Sequence, residues 1–161
     1  ELGSDCIVKP IFGGEGRGVM RISDPQLAWY TFSTLDQLDA ALHIQTFIPP
    51  GGKDTRLLVV GEHVFGIRRD NPDSFRSNVA AGATCHMIDV DEVLAATAKR
   101  IATMFGLAFA SVDLIDNDNG PQMFLEVNAI PGWKGAQSVI GESIADQVIE
   151  TLAAHSGRTV A

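Results

Sequence analysis

Asp113, Glu126 and Asn128 are the side chains whose types and spacing most directly suggest chemistry. Side chains alternate along a strand, so Glu126 and Asn128 share one face of the run from Met123, while Leu125 and Val127 take the other. Ser111, Asp113 and Ile115 likewise share a face of the run before it. Between the two runs, Asn119-Gly120 is a strong two-residue hairpin signal. A turn centred there sets Asp113 directly across from Glu126 with Asn128 two residues along, and a four-residue loop from Asp118 to Pro121 gives the same register. Two like charges facing each other across a sheet repel unless something positive lies between them. A hard cation with oxygen ligands is the simplest answer, and magnesium that also touches nucleotide phosphates fits the spacing. The ordinary alternative, a solvated acidic face, is weakened because both acids sit inside otherwise apolar strands. An EF-hand reading fails: with Gly120 as sixth position, the first ligand would be Ile115, which has no side-chain oxygen.

Gly13-Gly14-Glu15-Gly16-Arg17-Gly18 can turn its backbone N–H groups toward phosphate oxygens. It matches neither a Walker loop nor the dinucleotide fingerprint, and a flexible hairpin turn is an equal reading of it alone. Lys9, on the strand just before, strengthens the phosphate reading by offering an ammonium to the same oxygens. Arg68, Arg69 and Arg76, with Arg56 as a further candidate, form a second basic cluster. Guanidinium forks suit carboxylate or phosphate, with Ser77 and Asn78 adding donors, although a solvated hairpin edge explains the cluster equally well.

Composition narrows the classes. The 161 residues, 45% of them hydrophobic, suffice for one compact domain or two small lobes. A net charge of −8 disfavours nucleic acid as a main partner. No apolar run nears the roughly 20 residues that span a bilayer, so no membrane partner is expected. Cys6 and Cys85 are too few for a disulfide framework or a zinc site and read as reduced, buried thiols of a cytoplasmic protein. The four histidines show no ligand spacing. The chain opens on Glu1 without a signal-peptide pattern, which predicts a fragment whose natural N-terminus lies upstream.

The elements that must position these groups follow from local signals. Cys6 to Pro10 and Val19 to Ile22 read as strands of a hairpin joined by the glycine loop. Asp24-Pro25 starts a helix, Asp as N-cap and Pro at the first position, running to about Ala41 with Leu27, Leu35, Leu38 and Leu42 among its apolar positions. Ile44 to Ile48 is a strand, ended by Pro49-Pro50-Gly51-Gly52, which marks a lobe boundary. Arg56 to Val60 and His63 to Arg68 form a hairpin about Gly61-Glu62. Asp91 caps a helix with Leu94, Ala98, Ile101 and Phe105 at helical spacing, stopped by Gly106. Ala110 to Ile115 and Met123 to Asn128 are strands, and a last helix carries Ile144, Val148 and Leu152 on one face. Hairpins mixed with helices predict an α+β class.

Taken in order, these segments resemble the ATP-grasp superfamily, specifically its RimK-like glutamate-ligase branch, over nearly the whole chain. Val8-Lys9-Pro10 and the glycines resemble the phosphate-covering loop and its lysine. Gln45-Thr46-Phe47-Ile48 resembles the adenine-contacting hinge. Gly52-Lys53-Asp54-Thr55-Arg56 resembles a segment whose Asp contacts nucleotide, and Phe75-Arg76-Ser77-Asn78 resembles a Phe-Arg-Ser-Asn motif. Asp113 matches the first metal ligand, and Leu125 to Gly132 resembles Glu-Val-Asn-x-x-Pro-Gly, whose Glu and Asn bind magnesium. The resemblance departs from the family at Thr46, where an acidic residue is common, and at Trp133, where a smaller aliphatic is usual.

The resemblance implies an ATP-grasp fold of mostly antiparallel sheets with helices packed on them. Residues 1–48 would be part of the central subdomain and 49–161 the C-terminal subdomain, with an upstream domain and the strand bearing a second ATP lysine outside the chain, so that the fragment alone is inactive. It implies ATP with Mg2+ (or Mn2+) and an amide formed through an acyl phosphate, an amino acid such as glutamate being added to a small-molecule or peptide-terminus acceptor. A homo-oligomer is compatible with it. Lys9, Gly14, Gly16, Gly18, Gln45, Thr46, Phe47, Asp54, Arg76, Ser77 and Asn78 would bind the nucleotide. Arg76 and Asn78 would stabilise the transferred phosphoryl group; Asp113, Glu126 and Asn128 would hold the metal; Arg69 would take the substrate carboxylate. Rival readings are a glutathione-synthetase-like ligase and a nucleotide-binding regulatory lobe without catalysis.

Overall fold

The computed structural model describes residues 3–12, 14 and 16–156. The chain divides into two compact units, Glu1–Pro49 and Pro50–Ala161. In the first, β1 (Cys6–Pro10) lies between β2 (Met20–Ile22) and β3 (Leu42–Thr46), antiparallel to both. The glycine loop thus joins two strands of a hairpin; Gly13 and Glu15 lie outside the described residues. Ile7, Val8, Ile22 and Phe47 form the buried part of this unit.

Helix α1 (Pro25–Gln37) starts as its sequence dictates, with the Asp24 carboxylate accepting the Leu27 N–H at 2.7 Å. It ends four residues before the expected Ala41. Asp39 takes a left-handed conformation (φ 50°), and the Ala40 N–H turns back to the Leu35 carbonyl at 3.1 Å. Aspartate tolerates this geometry better than most side chains. Leu42, expected on the helix, instead opens β3 opposite Pro10.

The second unit is a five-stranded antiparallel sheet in the order β6-β5-β4-β7-β8. β4 (Lys53–Val60) and β5 (His63–Asp70) turn on Gly61-Glu62, with Gly61 at φ 57°. β6 (Thr84–Ile88) has no counterpart in the sequence reading; as an edge strand with exposed Thr84, His86 and Met87 it lacks clear alternation. β7 (Phe109–Ile115) and β8 (Met123–Asn128) complete the sheet.

Period-two alternation gives the sheet two apolar faces. On one, Leu57, Val59, Ala110 and Val112 pack against Ala98 and Ala102 of α2 (Glu92–Met104), with Leu94 and Ile101 alongside. Phe105, expected with them, is the C-cap and exposed. On the other, Leu58, Val60 and Ile67 pack against Ala136 of α3 (Lys134–Gln137), Ile140, and Ile144 and Val148 of α4 (Ile144–Ser156). Ile144 is 0% exposed but Leu152, predicted on the same buried stripe, is 54% exposed. The C-terminal half of α4 therefore extends beyond the core. Ile144→Ala should cost about 2–5 kcal/mol in urea denaturation and Leu152→Ala less than about 1 kcal/mol.

Candidate functional site

The face of the second sheet that packs against α3 and α4 changes character along its strands. Beyond Leu58 and Ile67 it carries Asp54 and Arg56 on β4, Arg69 on β5, Asp113 on β7, and Glu126 and Asn128 on β8. Register places them there: Asp54 lies opposite Arg69, Arg56 opposite Asp113, and Asp113 opposite Glu126, while Asn128 faces Ser111. Asp113, Glu126 and Asn128 are therefore together on one face.

That juxtaposition depends on an irregularity. Near the turn, Ile115 pairs Met123 and Leu114 pairs Phe124; one residue further, Asp113 pairs Glu126. Leu125 is the extra residue of a β-bulge. The hairpin itself turns through Asn117–Gly120, with the Gly120 N–H on the Asn117 carbonyl at 3.2 Å and the Asn119 N–H on the Asn117 side chain at 3.0 Å. The turn is therefore not centred on Asn119-Gly120. Without the bulge, the register of the Ile115–Met123 and Leu114–Phe124 pairs would set Glu126 opposite Val112, on the face covered by α2.

Asp113 is 1% exposed and Arg69 6% exposed. Arg56 donates to Asp113 through Nε at 2.9 Å and Nη2 at 2.6 Å, and through Nη1 to the Gly132 carbonyl at 3.2 Å. Arg69 donates to Asp113 through Nη2 at 2.9 Å and grips Asp54 through Nε at 2.6 Å and through Nη2. Ser77 Oγ donates to Asp54 Oδ2, the oxygen that also accepts from Arg69 Nη2. Burial pushes the Asp113 carboxyl up, but the hydrogen bonds and charges of Arg56 and Arg69 more than offset it and hold the group below its ordinary value. Burial likewise works against the Arg69 cation, yet Asp54 and Asp113 raise its pKa.

Two of the expected contact residues therefore point inward. Asp54, expected to meet nucleotide, is fully buried between Arg69 and Ser77, and the Arg69 N–H groups expected for a substrate carboxylate are directed at protein carboxylates. Arg76 is exposed and Ser77 and Asn78 are half-buried, in a loop that Asn71 organises. Asn71 Nδ2 donates to the Arg76 and Ala81 carbonyls, both at 2.9 Å. Gly52 anchors the same loop: its N–H reaches the Phe75 carbonyl at 2.7 Å, and at φ 70° a Cβ would lie 2.4 Å from the Ser74 carbonyl oxygen. Sequence reasoning missed Asn71, and only the Asn71-Pro72 pair hinted at a turn.

In the first unit, Lys9 pairs with His43 and Gln45 with Ile7, so Lys9 and Gln45 share a face. Thr46, opposite Cys6, lies on the other. Phe47 is buried beneath Arg21, whose guanidinium lies 3.6 Å from the ring centroid and makes a bidentate pair with Asp5 at 2.9 and 2.7 Å. Arg21 and Asp5, also absent from the sequence reading, fix the Phe47 ring. Gly16 and Gly18 adopt φ 73° and 74°, and a Cβ on Gly18 would approach Pro10 at 3.0 Å. Gly14 accepts the Arg17 N–H at 3.1 Å.

A divalent cation fits the β7–β8 donors. Among the described residues no three His, Cys, Asp or Glu side chains cluster as metal ligands; the set is two carboxylates and a carboxamide, oxygen donors that suit a hard ion. Asp113 Oδ1 and Asn128 Oδ1 each accept one hydrogen bond, from Arg56 and from the Ile130 N–H at 2.9 Å, which leaves each a second lone pair. Ser111 Oγ, fully buried across from Asn128, has no hydrogen-bond partner, as expected of a group whose polar neighbour arrives with a ligand.

A family model for the RimK-like ATP-grasp domain matches residues 1–152. A probable alpha-L-glutamate ligase of Rhodopirellula baltica is 35% identical over 155 residues, 94% of this chain and 38% of its own length. One from Pseudomonas putida is 32% identical over 158 residues, 96% of this chain and 52% of its own. The chain thus spans about half, or less, of the length of these relatives. Among solved structures, the ATP-grasp ligase PsnB complexed with a phosphomimetic variant of its minimal precursor, Mg and ADP superposes with a TM-score of 0.70 at 22% identity, covering 96% of this chain and 47% of that one. D-alanine--D-alanine ligase from Bacillus anthracis, complexed with ATP, gives 0.68 at 20%, covering 97% and 55%. The fold is ATP-grasp, of the α+β class.

Removing one partner from a buried ion network leaves the others uncompensated, so Asp113→Asn should cost about 3–5 kcal/mol in denaturant titration. Arg68 holds the Asp116 carboxyl below its ordinary value on the opposite face. Lowered carboxyls contribute stability that is complete above their unfolded pKa, near 4, and is lost as pH falls through the folded value. Unfolding free energy should therefore decline below about pH 4, and less steeply in Asp113→Asn.

Proposed function

The chain belongs to the RimK-like ATP-grasp family, and on that premise we propose that the full-length protein is an ATP- and magnesium-dependent ligase joining a carboxylate to an amine. The observation that carries the reading is the pairing of Asp113 with Glu126, with Asn128 two residues along on the same face. These three would hold magnesium, which supplies neutralisation of phosphate charge when bound. Manganese, with similar oxygen preferences, would substitute.

Lys9 and the N–H groups around Gly14, Gly16 and Gly18 would hold the phosphates, and the backbone of Gln45, Thr46 and Phe47 the adenine. A substrate carboxylate oxygen attacks the terminal phosphorus and ADP leaves; the amine then attacks the acyl carbon, phosphate leaves, and the nitrogen gives up a proton. Arg76 and Asn78, exposed and half-buried on their anchored loop, suit the charge of the transferring phosphoryl group. Ser77 and Asp54 would serve the nucleotide through that loop. The names of the curated relatives favour glutamate as the amino acid, added to a small-molecule or peptide acceptor; the peptide precursor in the PsnB complex favours the latter.

The full-length enzyme, given ATP, magnesium and a panel of amino acids and carboxylate acceptors, should release ADP and phosphate only with a competent pair. AMP and pyrophosphate would overturn the acyl-phosphate route. Glu126→Gln should lower turnover at limiting magnesium on the order of ten- to a hundredfold, with little loss of thermal stability because Glu126 is exposed.

A further inference from the structure

We propose that Arg69 is a positioning residue that couples the order of the 71–83 loop to the metal-binding carboxylate Asp113. The claim deepens the ligase reading, on which the metal half of it rests. Three features carry it. The chain of contacts is continuous: Ser77 Oγ to Asp54, Asp54 to the Arg69 fork, Arg69 Nη2 to Asp113 Oδ2 at 2.9 Å. Its members from three adjacent strands are buried, so water does not compete for these bonds. Lastly, Ser77 stands between Arg76 and Asn78, so tension on its side chain bears on both.

The geometry also explains why arginine is needed. Nη2 of Arg69 is shared between Asp54 and Asp113, while Nε is committed to Asp54. A lysine offers a point charge that can meet one carboxylate well but cannot hold both in a fixed fork. With Asp54 Oδ2 accepting from both Ser77 Oγ and Arg69 Nη2, a displacement of the loop moves Asp54, and the guanidinium must follow or lose a bond. Asp113 is in turn held by Arg56, so its orientation is set by two arginines, only one of which reports on the loop.

The test perturbs one end and reads the other. In the ligand-free full-length protein, amide hydrogen exchange across residues 71–83 should quicken about three- to thirtyfold in Asp113→Asn, whose side chain makes no hydrogen bond to that loop. Asp116→Asn, which breaks the Arg68 pair on the opposite face, should leave the loop unchanged. In the reverse direction, Ser77→Ala should weaken Mn2+ binding, read by the electron paramagnetic resonance of free Mn2+ without nucleotide. Arg69→Lys should produce both effects, non-additively with Ser77→Ala. Unchanged loop exchange in Asp113→Asn, or equal quickening in Asp116→Asn, would overturn the coupling, as would additive effects of Arg69→Lys and Ser77→Ala. If Arg69→Lys does not fold, the two single variants at the chain's ends still decide it. Failure of the wild-type protein to bind Mn2+ would sink the metal assignment while leaving the exchange arm to judge the coupling.

Discussion

The guanidinium of Arg69 donates to Asp54 and Asp113 where almost no water reaches it. Taking such a cation out of water is costly, and only close, well-directed carboxylates return the energy. Those carboxylates come from β4, the neighbour of Arg69's own strand β5, and from β7 beyond it, so the arrangement requires the correct register among three strands. A slip of one residue would turn Asp54 or Asp113 to the opposite face and leave a charge unpaired. The same register places Leu58, Val60 and Ile67 under α3 and α4. Apolar burial and ion pairing thus enforce one alignment from the two ends of a single face, the first mainly supplying stability and the second penalising the alternatives.

Arg21 uses related physics with a different balance. It too forms a fork with a carboxylate, Asp5, which it holds below its ordinary pKa. Both partners are substantially exposed, so the pair itself contributes little. What it adds is placement: held in plane, the guanidinium covers the buried Phe47 ring.

Much of the fold was legible because local signals dominate where they are strong. The Asp24-Pro25 and Asp91 caps, the Gly61-Glu62 hairpin and the alternation of β7 and β8 each have a short-range cause. β6 and the last turn of α1 were not, because an edge strand shows weak patterning and one left-handed aspartate outweighs the helical spacing of Leu38 and Leu42. At the site, residue types and strand faces could be read, but partners could not. Nothing in the one-dimensional order says that Asp54 and Arg69 neutralise each other, or that Asn71 holds the Arg76 and Ala81 carbonyls. The Asp113–Glu126 pairing predicted from a turn at Asn119-Gly120 is present although the turn spans Asn117–Gly120, because the bulge adds a residue to β8.

That bulge has a bearing on how this hairpin tolerates changes of length. Leu125 is a spare residue between the turn and Glu126, flanked by ladder pairs that are regular on both sides. Losing one residue there would merge the two registers into one and keep Glu126 across from Asp113. Elsewhere in the strand, a one-residue insertion or deletion would need a second irregularity to restore the facing. The hairpin can therefore shorten by one residue at position 125 while the carboxylates stay in phase, that position acting as the slack in the line.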